Sequence, residues 1–174
     1  MWKWLGSGWI AALLLLPSVP LAQPVNESEL KAAFIYNFIL FTEWPVDTAF
    51  ERGTLSICVR PNGVLQQPLQ RLTDKSVNGR KIAVRPLVPA DMLRACHVVF
   101  LDAGDRDYWK KIRTDAAQLP LLTISDDGEF VPEGGIIVLE MSHDRIVFDI
   151  DTRAAGKARL VLSSKLLRLA RNVQ

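Results

Sequence analysis

From Asn26 to Trp44 the apolar residues Leu30, Ala33, Phe34, Phe38 and Phe41 recur at helical spacing. The pattern predicts a helix capped at Asn26 or Ser28 that ends near Thr42, ahead of Pro45. Glu29, three residues after Asn26, gives this start the spacing of a capping box. Ile35, Tyr36, Ile39 and Leu40 fill much of the other side, so the helix is apolar nearly all round. Such a helix must be covered on both sides, by another layer of the same chain or by a second subunit. Phe34, Phe38 and Phe41 are therefore candidates for a partner or dimer surface.

Beyond Pro45 the period shortens. Thr54 to Val59, Lys81 to Arg85, His97 to Leu101 and Leu121 to Ile124 read as short apolar strands. Between them lie helical stretches: one opened by Pro61-Asn62-Gly63 and carrying Val64, Leu65, Leu69 and Leu72, a short turn with Met92 and Leu93, and a helix from about Asp105 to Gln118. Strands that alternate with helices imply a parallel sheet with helices on its faces. From Gly135 the pattern changes, because Ile136 to Glu140 and Arg145 to Ile150 are joined by only Met141-Ser142-His143-Asp144, which suits a hairpin. The predicted fold is a single-domain α/β sandwich, its sheet mostly parallel with helices on both faces and an antiparallel hairpin near its edge.

The last segment, Thr152 to Val173, reads as helix apart from Gly156 and Ser163-Ser164. Leu162, Leu166, Leu169 and Val173 would then share one face, and Lys165, Arg168 and Arg171 a basic one. That basic face is either a solvated side or a surface for an acidic partner, and Lys165 and Arg171 join the three Phe as candidates.

The N-terminus follows another pattern. Lys3, the apolar run Ile10 to Leu16, breaks at Pro17 and Pro20 and a small residue at Ala22 have the layout of a secretory signal peptide. The expected division is a signal peptide over 1–22 and the α/β domain over 23–174. The alternative, an uncleaved anchor, is opposed by Pro17, Pro20, Gly6, Ser7 and Gly8 within the span. Across 174 residues, 49% are hydrophobic, and 21 basic side chains balance 19 acidic ones for a net charge of +2. That composition excludes a disordered chain, and the charge balance argues against a nucleic-acid partner.

Export changes the meaning of the two cysteines, Cys58 and Cys96. An even count in an oxidising compartment is first read as a disulfide, and neighbouring parallel strands could bring the pair together. The competing reading is a metal site completed by His97 and His143, which lacks both CxxC and HExxH spacing. Catalytic signatures are missing as well: no Gly-x-Ser-x-Gly elbow occurs, and Ser163-Ser164-Lys165 is not Ser-x-x-Lys. Asp126 and Asp127 could hold Mg²⁺, but Gly128 after them suits a turn. No catalytic residue, metal or cofactor is assigned. Ligands of open α/β sheets sit outside the carboxyl ends of the strands. Arg60 directly follows a strand there, so Arg60, with Arg168, is a candidate for holding a small anionic ligand.

Several segments together resemble the YfiR family: Lys31-Ala32-Ala33-Phe34-Ile35-Tyr36-Asn37-Phe38, Phe41-Thr42-Glu43-Trp44-Pro45, Leu55-Ser56-Ile57-Cys58-Val59, Val77-Asn78-Gly79-Arg80, Cys96-His97-Val98-Val99-Phe100, Leu122-Thr123-Ile124-Ser125-Asp126, Gly134-Gly135-Ile136-Ile137 and Ser163-Ser164-Lys165-Leu166-Leu167. The resemblance implies a non-catalytic bacterial periplasmic regulator with a dimeric α/β fold. Its partner would be the periplasmic sensor region of a YfiN-type inner-membrane diguanylate cyclase, repressed to lower cyclic-di-GMP and biofilm formation. It also implies a Cys58–Cys96 disulfide with a redox role. This chain departs from some members in lacking a second cysteine pair, which makes a purely structural bond more plausible. The alternative function is a periplasmic module that binds a small anion and feeds a sensor kinase or another membrane receptor.

Overall fold

The computed structural model describes residues 26–174. The predicted signal peptide, 1–22, lies outside the described residues.

Helix α1 runs Glu27–Leu40. Asn26 caps it, its side-chain oxygen accepting the Ser28 N–H at 3.0 Å. The predicted capping box does not close, because Glu29 turns outward to pair with Arg71. Ala32, Ile35, Phe38 and Ile39 are buried, whereas Ala33, Asn37 and Leu40 are exposed. Burying side chains the size of Ile35 and Phe38 stabilises by about 1.5–3 kcal/mol each, so the sheet beneath holds this helix rather than any local amphipathic pattern.

The strands are β1 (Thr42–Glu43), β2 (Thr54–Val59), β3 (Ser76–Val77), β4 (Arg80–Pro86), β5 (Val98–Leu101), β6 (Leu122–Ser125), β7 (Ile137–Ser142), β8 (Arg145–Ile150), β9 (Val161–Leu162) and β10 (Asn172–Val173). Eight of them form one sheet in the order β10-β8-β7-β6-β5-β2-β4-β3, while β1 and β9 pair separately. Pairings β4/β2, β2/β5, β5/β6, β6/β7 and β8/β10 are parallel; β3/β4 and β7/β8 are antiparallel. The expected hairpin is present and turns on His143 and Asp144. Both residues have positive φ, 48° and 61°, the geometry of the tight turns that match strand twist.

Alternation along each strand sorts the core into two layers. Leu55, Ile57, Val59, Val98, Phe100, Leu122, Ile124, Ile137 and Phe148 pack with α1, with α2 (Gln66–Gln70) and with the C-terminal segment. Cys58, Val99 and Leu101 point the other way, against α3 (Arg106–Ala116) through Trp109 and Ile112, with Leu93 and Phe130 completing that layer. The sandwich read from the sequence is the observed architecture.

The single C-terminal helix is not. The segment folds as α4 (Thr152–Lys157), β9, α5 (Ser164–Leu169) and β10. Arg159 enters the left-handed region at φ 57°, which ends α4 and sends Leu160 into the core. Ser163 then caps α5, its hydroxyl accepting the Leu166 N–H at 3.3 Å. The predicted apolar face is consequently dispersed: Leu166 is buried, whereas Leu169 is 70% and Val173 47% exposed.

Candidate functional site

Cys58 and Cys96 form a disulfide with Cα atoms 5.8 Å apart, joining β2 to the residue just before His97 leads into β5. Cys58 is fully buried and Cys96 nearly so. The bond belongs to the buried cluster that includes Leu93, Val99 and Trp109, in the layer that α3 covers.

His97 fixes the surroundings of the bond. Its Nδ1 accepts the Ser56 N–H at 3.0 Å, so Nε2 carries the proton and donates to the Ala49 carbonyl at 3.0 Å. Its ring stacks on Phe50 with centroids 4.4 Å apart, and the Arg80 guanidinium lies 3.9 Å from the Phe50 ring on which His97 stacks. Burial pushes the imidazole pKa below its ordinary value, with the nearby Arg80 and Arg85 charges acting in the same direction. With both ring nitrogens engaged in backbone bonds, His97 has none free for a metal, and His143 sits in the β7–β8 turn. Among the described residues no group of three or more His, Cys, Asp or Glu is arranged to hold a metal ion.

Arg60 stands at the end of β2, as expected, but its charge is already matched. It bonds Asp105, which is 2% exposed, and lies 3.9 Å from Asp102. Asp102 and Asp105 form a reciprocal capping box ahead of α3, with Gly104 N–H donating to Asp102 at 2.8 Å and Asp102 N–H to Asp105 at 3.1 Å. Burial raises the Asp105 pKa even against the pull of Arg60. The Arg60 side chain remains 43% exposed beside these two carboxylates. Arg168 lies elsewhere, exposed on α5, which leads to the far edge of the sheet.

The acidic pair after β6 is likewise spent on structure. Asp126 accepts Lys31 Nζ at 2.8 Å, which ties α1 to the sheet, and Asp127 takes Arg106 Nε at 2.8 Å. Burial opposes the Lys31 charge, but the hydrogen bonds to Asp126 and Glu27 outweigh it and raise its pKa. Arg106 holds the Asp127 carboxyl below the usual carboxylate range.

The candidates for a contact surface divide. Phe38 is 1% exposed and wedged between α1 and β8, 4.9 Å from the Phe148 ring, so it is a core residue and offers nothing to a partner. Phe34 and Phe41 are half-buried, Phe34 meeting Phe38 and Phe148 edge-on. Arg171 is committed to Asp149, at 2.8 Å from Nε, and to Glu140 at 3.0 Å, which stitches β10 onto β8 and β7. Lys165 and Arg168 are exposed. The sequence reading puts Leu40 and Leu169 on separate apolar faces and passes over Val161; at the end of α1, in α5 and in β9 these three are 37%, 70% and 61% exposed. The segments that bear them adjoin, since the Ser163 N–H donates to the Phe41 carbonyl at 2.9 Å and β9 pairs with β1. A helical reading of the C-terminus hid this, because it gave Val161 and Leu169 no reason to stand beside α1. Also unforeseen is a cleft of about 480 Å³ at the opposite end of the sheet from Arg60, lined by cations of α3 and α4. No helix among the described residues is long and apolar enough to cross a membrane.

A family model described as YfiR/HmsC-like matches residues 28–171. No curated protein matches the sequence. Among solved structures, the fold is similar to the crystal structure of a conserved domain protein from Vibrio cholerae O1 biovar El Tor str. N16961, with a TM-score of 0.57 and 10% identity over 85% of this chain. This chain spans 60% of that protein's chain, and at such identity the likeness is one of fold.

Proposed function

Because the chain belongs to the YfiR/HmsC-like family, we propose that it is a periplasmic regulator that represses a membrane-bound diguanylate cyclase by protein–protein contact. In this reading it binds the periplasmic sensor region of the cyclase as a homodimer and lowers cyclic-di-GMP signalling and biofilm formation. It performs no chemistry itself. The observation that carries the contact mechanism is the group of exposed apolar side chains, Leu40, Val161 and Leu169, on adjoining segments with Lys165 and Arg168 between them in sequence. Exposed apolar residues on a rigid sheet-backed frame, with cations beside them, suit a partner surface with an apolar centre and an acidic rim.

Repression requires that the regulator bind the inactive state of the cyclase more tightly than the active one, since equal affinity would shift nothing. Export through the predicted signal peptide places it on the correct side of the membrane for that contact, and a disulfide suits the oxidising periplasm.

The test is genetic. Deletion of the gene raises cyclic-di-GMP only while the partner cyclase is intact, and Leu169→Asp or Val161→Asp reproduces the rise in a protein that melts like the parent. Unchanged cyclic-di-GMP in the deletion strain would overturn the reading.

A further inference from the structure

The 480 Å³ cleft opens where the second half of α3, the start of α4 and residues 131–136 meet, at the edge from which β6 and β7 begin. Three cations line it: Arg113 from α3, and Arg153 and Lys157 from α4. Two carboxylates, Glu133 and Asp151, line it as well. Asp151 is engaged at the start of α4. Asp151 caps α4, its Oδ1 accepting the N–H groups of Arg153 at 2.8 Å and Ala154 at 3.0 Å. Glu133 is in no ion pair among the described residues, and with three cations against two carboxylates the lining keeps a net positive charge.

Among the described residues two of the three cations are unpaired, and the third is only loosely paired. Arg153 Nε stands 3.8 Å from Asp151, beyond hydrogen-bond distance. Neither Arg113 nor Lys157 is in an ion pair among the described residues. Small side chains, Ala116, Ala117 and Ala154, leave the space between the helices open. Trp109 also lines the cleft.

We propose that this cleft binds a small hydrophilic organic anion, a carboxylate or phosphate on a compact polar body, held by Arg113, Arg153 and Lys157. Its volume lies in the range of roughly 300–1,000 Å³ usual for small-molecule sites. A bound anion bridges α3, on one face of the sheet, to α4, which packs with the other, and so fastens the two layers at this end. The site is independent of the cyclase reading and would stand if that reading failed.

Isothermal titration calorimetry on the whole protein at constant ionic strength, with citrate and glucose 6-phosphate as probes, tests it. At least one probe is expected to bind saturably and raise the melting temperature. Heat from citrate alone assigns a carboxylate ligand, and heat from glucose 6-phosphate alone a phosphate. Arg113→Ala and Lys157→Ala should each weaken binding at least tenfold and Lys157→Glu should abolish it, while Arg168→Ala leaves it unchanged. All three positions are exposed, so the unliganded melt should match the parent. No saturable heat from either probe, or binding that survives the Arg113→Ala/Lys157→Ala double substitution, overturns the assignment.

Discussion

Reduction of the Cys58–Cys96 bond should cost this protein about 4 kcal/mol. The two cysteines are 38 residues apart in sequence, and the loop-closure entropy withheld from the unfolded chain by a crosslink of that span is about 13 cal/mol/K, or about 4 kcal/mol at 25 °C. In a domain of this size each kcal/mol shifts the midpoint by roughly 2–4 °C, so the reduced protein should melt about 8–16 °C lower. Reduction is the cleaner perturbation because it leaves both sulfurs in place. Cys58→Ser adds a second penalty, since its hydroxyl would sit fully buried among Leu93, Val99 and Trp109, at about 1–3 kcal/mol for an unsatisfied polar group. The assay is calorimetry of oxidised and fully reduced protein, with thiols counted in denaturant, and urea melts of both forms. Midpoints within 2 °C of each other would refute the reasoning, because the crosslink would then restrict nothing that the unfolded chain explores.

Three further outcomes follow from particular side chains. His97 has a folded-state pKa pushed below its ordinary 6.5, so its contribution to stability is complete above that value and is lost as the pH falls through and below it. The melting temperature should fall between pH 7 and pH 5, and a His97→Asn curve parallel to the parent's would remove His97 from that account. Arg106 holds the Asp127 carboxyl below its ordinary 3.8, a pairing whose contribution is present above that value and lost below it; with the Arg106 side chain 41% exposed, solvent screens the pair and Arg106→Ala should cost only a small part of the stability at pH 7. Urea melts at pH 7 and pH 2 should show that cost disappearing in acid. Gly135→Ala drives a methyl group into the Phe130 ring, which is buried 4.5 Å from the Trp109 ring; we expect a loss of about 1–3 kcal/mol, and a variant melting with the parent would show that Phe130 has room to move.

The strands β2, β5, β6, β7 and β8 were legible because each is a short run buried on one or both faces, and the residues that make it apolar are the residues the sheet buries. β1, β3, β9 and β10 were not. Each is two residues long, and what makes Thr42–Glu43 a strand is the arrival of Val161–Leu162 from the far end of the chain. The C-terminal segment shows why local propensity misleads: Lys, Leu and Arg favour a helix, but Leu160 and Leu166 each reach the core only if the chain breaks at Arg159 and restarts at Ser163. The carboxylate partners of Arg60 were invisible in the sequence. Nothing at position 60 announces that Asp105 will fold beneath it. Lys31, Asp126, Arg171 and Asp149 carry the same lesson, each a charge whose match lies far along the sequence. The helix α1 was seen correctly, yet its apolar excess is absorbed by the core at Phe38 and left exposed at Leu40.

The surroundings of the disulfide bear on how it could be opened. Thiol–disulfide exchange requires a thiolate to reach one sulfur and expel the other. Cys96 lines a recess of about 280 Å³ whose wall includes Asp47, Thr48 and Ala49, whereas Cys58 lies sealed beneath α3. That wall is fastened by the His97 bond to Ala49 and by Arg159 on Asp47 at 2.9 Å. An attacking thiolate therefore has its shorter approach to Cys96, with Cys58 as the leaving thiolate. A reductant meets a bond with a preferred side of entry, so the lifetime of the oxidised form is a matter of kinetics as well as of potential.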